Sequence, residues 1–322
     1  MALTRLKGFG PKSVHSLGLL SKGISIESYQ ELTNFVNAAI EDKKNKIRAK
    51  SIDSFLMRNA LQEAEEIIAR SEEMGIRTIS FLDKDYPSNL HHTIDEEGHP
   101  SVPAILFYKG DISICQMPAI AIIGTREPTP NGEKAGKYLG QLYAQEGFNI
   151  VSGLAIGCDT CGHQGALSTP NGITTAFLAH GLDKVYPKEN GELAEEIVNR
   201  GGLLMSEYPI GTDVNRYNLV ARDRLQAALA DAIVVIQTGE KGGTLHASNT
   251  ALKAKKPLFC VRYITPEPWD KIAGNVMLVG KGATYIDGKN PILPIKVAVA
   301  EQMKQGKGKK EKGNNEQLTI FD

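Results

Sequence analysis

The sequence predicts an α/β protein: an extended, Rossmann-like, doubly wound parallel sheet behind a small N-terminal helical domain. Two observations predict it. From about residue 118 to residue 261, short apolar runs alternate with helical stretches, and the runs are apolar on both faces. Strands of that kind belong in a parallel sheet covered by helices on both sides. Before residue 76 the alternation is missing, and apolar residues recur at helical spacing instead.

Taken in order, LKGFGPKSVHSLGLL reads as a helix, a glycine turn and a second helix, punctuated by Gly8, Gly10 and Gly23. Residues 59–74 place Leu61, Ala64, Ile67 and Ile68 on one helical face, and Gly75 supplies a stop. Residues 1–75 are therefore expected to form the helical cap. IRTISFL and PAILFYKG are short β-like runs around a Pro/His/Asp-rich stretch at 83–103. Strands are then predicted at 118–124, 148–152, 173–179, 202–206, 232–237 and 257–261. Helices are predicted between most of them, at about 131–147, 160–168, 190–200, 217–230 and 244–255. The α/β domain is expected to span 76–290. Beyond it, 291–322 is Lys/Gly/Asn-rich in KQGKGKKEKGNNEQ and is expected to be disordered, with an apolar tip, QLTIFD.

Bulk properties narrow the function. With 322 residues the chain can hold two domains, and Lys+Arg and Asp+Glu both number 37, so the formal net charge is zero. A generally basic, histone-like binder is excluded; affinity for nucleic acid must come from a local patch. The start MALTRLKGFGPK lacks the apolar stretch of a signal peptide, and apolar runs such as 118–123 fall far short of the ~20 residues that span a bilayer. With four cysteines and one close pair, a cytoplasmic protein with no membrane contact is expected.

Ligands of an open parallel sheet sit beyond the carboxyl ends of its strands. Gly124-Thr125-Arg126 follows the strand at 118–124, combining a backbone open to close approach, a hydroxyl and a forked cation suited to phosphate. Ser152-Gly153 and Gly157 follow the next strand and lead to Asp159 and a helix carrying His163, so backbone N–H groups and a helix N-terminus can cradle an anion. Thr238-Gly239 and then Gly242-Gly243-Thr244 open a further helix, a second cradle. One glycine pair after a strand is usually only a tight turn, but three such turns at one rim, one bearing arginine, predict an anionic ligand. There is no GxGxxG with an acidic residue about 20 positions on, and no GxxxxGK[ST], so ordinary NAD and P-loop ATP sites are disfavoured. No cofactor and no metal are expected.

The blocks AIIGTREPTPNG, VSGLAIGCDTCGHQGAL, AHGLDKVYPKEN, LLMSEYPIGT, ARDRLQAALADAIVVIQ and KPLFCV resemble, in order and spacing, the DprA/Smf family. DKDYPSNLHHTID, PAILFYKGD and AGNVMLVGKGA extend the likeness over about 76–285. The resemblance implies single-stranded DNA binding, dimerisation through the Rossmann domain, and delivery of the strand to a RecA-type recombinase. It places strand-binding roles on Gly124, Thr125, Arg126, Ser152, Gly153, Gly157 and Asp159. Lys188 and Asn190 follow from YPKEN, and Arg222 and Arg224 from ARDR. For the two arginines the alternative is a solvated helix start paired with Asp223 or Asp231. The family's usual Arg-Asn-Arg is Arg-Asp-Arg here, Gln164 replaces its basic residue, and Gly242-Gly243-Thr244 replaces its Ser-Gly-Ser cradle. That last turn is closer to lysine-decarboxylase-like (LOG) proteins, which makes a small-nucleotide sensor or N-glycosidase the second reading. Those enzymes carry a Glu three residues beyond the turn's Thr, where this chain has Ala247, so no catalysis is expected.

Cys158 and Cys161 lack a second ligand pair and are expected to be small buried side chains. LKGFGPKSVHSL is similar to a helix–hairpin–helix-like cap; a plain interaction domain packed by Leu6, Val14 and Leu17 is the alternative. Gln317, Leu318, Ile320 and Phe321 resemble the QLxLF peptide with which bacterial proteins dock into the β sliding clamp. The Lys-rich linker before them could instead touch DNA nonspecifically.

Overall fold

The computed structural model describes residues 1–45 and 47–313. The predicted docking tip at Gln317, Leu318, Ile320 and Phe321 lies outside the described residues.

Four helices make the cap: α1 (Ala2–Arg5), α2 (Pro11–Leu20), α3 (Tyr29–Glu41) and α4 (Ser54–Glu73). Each of the longer ones begins where its sequence supplies a start. Pro11 stands at the first position of α2, the Ser28 hydroxyl accepts from the Glu31 N–H ahead of α3, and the Asp53 carboxylate accepts from the Leu56 N–H ahead of α4. Leu17, Val36 and Met57 are fully buried among them, with Val14 beside them and Leu6 partly covered. The glycine turn at residue 8 follows only one helical turn, not a full helix. α4 ends at Gly75, whose φ of +71° lets Ile76 N–H return to the Ser71 carbonyl.

The chain then enters the sheet by β1 (Arg77–Ser80) and β2 (Ile105–Gly110) and winds through β3 (Ala119–Ile123), α5 (Pro130–Gln145), β4 (Asn149–Ser152), α6 (Cys158–Leu167), β5 (Thr174–Leu178), α7 (Gly191–Asn199) and β6 (Leu203–Ser206). It continues with α8 (Arg216–Leu229), β7 (Ala232–Val235), α9 (Gly243–Lys253), β8 (Leu258–Val261), α10 (Trp269–Gly280), β9 (Thr284–Ile286) and α11 (Leu293–Gly313). Among the described residues nine strands form one sheet, in the order β1-β2-β6-β5-β4-β3-β7-β8-β9. From β6 to β9 every pairing is parallel. The connection reverses direction between β3 and β7, the switch point at which such sheets bind ligands. Residues of the central strands are buried on both sides, as the apolar runs require.

Two features depart from the expected pattern. The early β-like runs join the sheet, but not in the parallel sense expected of it. β2 pairs antiparallel with β6, Phe107 opposite Ser206, and β1 pairs antiparallel with β2, which adds a mixed edge to the parallel sheet. And the stretch after 290, expected to be disordered, starts as a helix in register with the core. Ile295 and Val299, four residues apart, are buried in the cluster that holds Leu139, Tyr143, Phe259 and Ile286, and α11 carries on through the Lys/Gly run to Gly313. Two apolar residues at one helical spacing sufficed to dock it, too few to stand out from the polar composition around them. Among the described residues no helix is long and apolar enough to cross a membrane.

Candidate nucleic-acid interface

The three turns that the sequence singled out meet at the switch point. Thr125 N–H donates to the Gln237 carbonyl at 2.7 Å, so the loop after β3 is tied to the end of β7. The Gln237 amide ties it again: its oxygen accepts from Thr129 N–H at 2.9 Å, while its nitrogen donates to the Thr129 hydroxyl that caps α5. Cys158 N–H donates to the Thr125 carbonyl at 3.1 Å, which brings the start of α6 underneath. A side chain at Gly157 would meet the Thr125 and Arg126 carbonyls at 2.5 Å, and its φ is +84°, so only glycine serves there.

The loop after β4 is braced from within. The Ser152 hydroxyl donates to the Ile122 carbonyl at 2.6 Å. One Asp159 carboxylate oxygen accepts from Gly153 N–H at 3.1 Å, and Asn190 donates to the Leu154 carbonyl at 2.8 Å. Leu154 itself is buried at φ +58°, a conformation that a non-glycine residue holds only when its surroundings impose it. His163 is buried 2.6 Å from the Thr174 hydroxyl, and burial lowers its pKa to about 3, so it stays neutral. All four cysteines are buried and free, with Cys158 packed where a Gly124 side chain would stand.

Gly124, Thr125, Arg126, Asp159, Arg222, Gly242, Gly243 and Thr244 all line one open cleft of about 390 Å³. Gly153 lines a small recess beside it, with Arg126 and Tyr186. Ser152, Gly157 and Asn190 shape the loops without lining the cleft, and Lys188 lies exposed on the turn before α7. Sequence reasoning missed Arg216 and Lys241, two exposed cations on the cleft wall. Their signal was position: Lys241 directly precedes the Gly242-Gly243 turn, and Arg216 opens the helix that carries Arg222.

The two arginines of ARDR are not free cations. Arg222 reaches beneath Gly153 so closely that a Cβ there would lie 1.3 Å from its guanidinium, and it donates to the Phe177 carbonyl at 2.9 Å. Its Nε lies 3.2 Å from Asp223. Arg224 turns away from the cleft and holds Glu207 through two bonds of 2.7 Å each. The pairing expected with Asp223 or Asp231 is thus made with Asp223 for Arg222 and with Glu207 for Arg224. In both cases the charge is compensated by burial with a carboxylate.

Net attraction for an anion therefore rests on Arg126, Lys241 and Arg216, on the N-terminal N–H groups of α9, and on what remains of Arg222. Arg126 is exposed, and no ion pair among the described residues holds its guanidinium. Against these stand two carboxyls. Burial pushes Asp223 up to about 7, with Arg222 pulling it down, Asp159 pushing it further and Arg126 and Glu96 acting more weakly. Burial also raises Asp159, opposed by Arg222 and by its backbone N–H partners. The cleft thus sets exposed cations on its wall against two buried carboxyls whose pKa values are both raised.

Fold and cleft together define a class: a Rossmann-like α/β protein with an open, cation-bearing cleft at the switch point and no nucleotide fingerprint. Residues 77–295 match the profile of the DNA recombination-mediator protein A family, and the chain belongs to that family. Over 217 residues it is 36% identical to Protein Smf of Synechocystis, an alignment covering 66% of this chain and 52% of that protein. It is 32% identical to the DNA processing protein DprA of Bacillus subtilis over 221 residues, 68% of this chain and 71% of that one. The chain thus spans about half the length of the Synechocystis relative. Among solved structures, DprA of Streptococcus pneumoniae superposes with a TM-score of 0.71 at 24% identity, over 91% of this chain and 95% of that one. DprA of Helicobacter pylori, described for its single-stranded DNA binding mode, superposes with a TM-score of 0.56 at 28% identity, over 71% of this chain and 96% of that one.

Proposed function

We propose that the switch-point cleft binds the sugar–phosphate backbone of single-stranded DNA, and that the protein holds the strand for recombination or transformation and passes it to a RecA-type recombinase. One observation carries this reading: three βα turns and the cations Arg126, Lys241 and Arg216 converge on one open rim. A run of phosphates suits such a rim better than a single enclosed nucleotide does. The H. pylori relative's single-stranded DNA binding agrees with it.

The protein acts by binding and not by catalysis. Ala247 stands on the cleft wall where LOG-type enzymes present their glutamate, and the Asp159 carboxylate is committed to backbone N–H groups. The small-nucleotide alternative is not favoured. A homodimer is supported by exposed apolar residues lining one groove, Ile264, Val276 and Tyr285, which are 82%, 43% and 36% exposed. Four unpaired cysteines go with a cytoplasmic site of action. The terminal peptide would add docking to the β sliding clamp.

The test is fluorescence anisotropy with labelled oligo-dT across salt concentrations. Three phosphate contacts give a slope of log affinity against log salt of about −2, roughly 0.7 for each contact on a single strand. Arg126→Ala is expected to weaken binding and to flatten the slope by about 0.7. An Arg126→Ala protein that binds as the parent does, with the same slope, overturns the site.

A further inference from the structure

A second, larger cleft of about 790 Å³ lies on the far side of α8, between the helical cap and the sheet. Arg216 and Val220 line both clefts, so the first turn of α8 is the ridge between them. On that ridge Tyr217 stands 69% exposed, with the Arg216 guanidinium 4.8 Å from its ring centroid and donating to its hydroxyl at 2.7 Å. We propose that this ridge and cleft form a base-binding site: a single strand whose phosphates lie in the switch-point cleft stacks an unpaired base on Tyr217 and turns neighbouring bases into the second cleft. The proposal rests on the phosphate-cleft reading and says what becomes of the bases.

Charge separates the two clefts by ligand. The second is walled by Phe9, Ala104, Ile105, Phe107, Tyr208 and Pro209, with acidic Asp95, Glu96 and Glu97 at its rim. Its arginines are not free to take phosphate. Arg224 is held by Glu207, Arg5 by Glu63, and Arg216 sits on the shared ridge. Phosphate is repelled there, while a neutral, flat, largely apolar base is accepted. A base above Tyr217 keeps its π-face on the ring, and stacking of this kind tolerates any sequence. Arg216, braced by the tyrosine hydroxyl, is placed to meet the phosphate of the stacked nucleotide on the other side of the ridge. The backbone runs along one side of α8 and the bases hang over to the other.

Abasic oligonucleotides test this, because they keep the phosphates and lose the bases. The full chain is titrated with labelled oligo-dT and with an abasic strand of equal length at one salt concentration. The parent is expected to prefer oligo-dT by about tenfold, the worth of one base–aromatic stack. Tyr217→Ala abolishes that preference, whereas Tyr217→Phe, which keeps the ring and loses only the hydroxyl that braces Arg216, keeps it. Ala221→Trp, which fills the second cleft from its α8 wall, reduces the preference without changing the salt slope. Equal affinity of the parent for both strands, or an undiminished preference in Tyr217→Ala, overturns the proposal and leaves the phosphate cleft standing. Failure of the parent to bind either strand overturns the phosphate cleft itself, and this inference with it.

Discussion

Asp223 is one of the positions inside the proposed site at which this chain departs from the pattern of the family it resembles, and replacing it by asparagine gives the expected Arg-Asn-Arg. A cleft of 390 Å³ is about as large as a sphere 9 Å across, so a bound phosphate lies within roughly 8 Å of a carboxylate in the lining. At an effective dielectric of about 20, unit charges that far apart repel by about 2 kcal/mol, roughly thirtyfold in Kd. The repulsion operates only when Asp223 is ionised. Its pKa stands at about 7, held up by burial and by Asp159 against Arg222 and Arg126. At about pH 8 the parent carries the charge on some nine-tenths of its molecules, and at about pH 5.5 on few of them. Parent affinity for oligo-dT is therefore expected to fall as pH rises through 7, while Asp223→Asn stays level. The variant binds roughly eightfold tighter at about pH 8, where the protonated tenth of the parent still binds at full strength, and about equally at about pH 5.5. Anisotropy titrations at the two pH values measure it. A ratio of affinities that does not change with pH, or weaker binding by the variant at about pH 8, refutes the reasoning.

Two further predictions concern the fold around the site. Arg224→Ala strands Glu207 in a buried setting and is expected to destabilise the protein by about 3–5 kcal/mol in urea unfolding. The salt slope of the folded protein stays unchanged, the opposite of what Arg126→Ala does. Ile295→Ala, at a fully buried position of α11, is expected to cost about 2–4 kcal/mol; a loss below about 0.5 kcal/mol would mean that the helix is not part of the core.

Much of this architecture could be read from residues. The apolar runs at 118–124, 148–152 and 232–237 became β3, β4 and β7 because strands buried on both faces leave no other pattern. The turns after them stood out because glycine and a basic residue sit at the carboxyl edge, and Gly124, Thr125, Arg126, Thr238, Gly239, Gly242, Gly243 and Thr244 line one cleft. What escaped was weakly patterned. α11 docks by two apolar residues, and β2 joins β6 through backbone bonds that carry no side-chain signature. Lys241 and Arg216 carried only the signal of position, beside a glycine turn and at a helix start, and residue type alone does not place a cation on a cleft wall.

Arg222 and Arg224 show where that boundary falls. Local spacing established the parallel sheet, its switch point and the glycine turns, because backbone geometry and burial act on neighbours within a few residues. It also put two arginines on one helix, alike in every local respect. Residues two apart on an α-helix point about 200° from each other, so α8 sends Arg222 under Gly153 to the Phe177 carbonyl and Arg224 across to Glu207. Which charge is spent on the fold and which is left for a ligand depends on what packs against each side of the helix. Those partners come from β5 and from the segment after β6, tens of residues away in the chain.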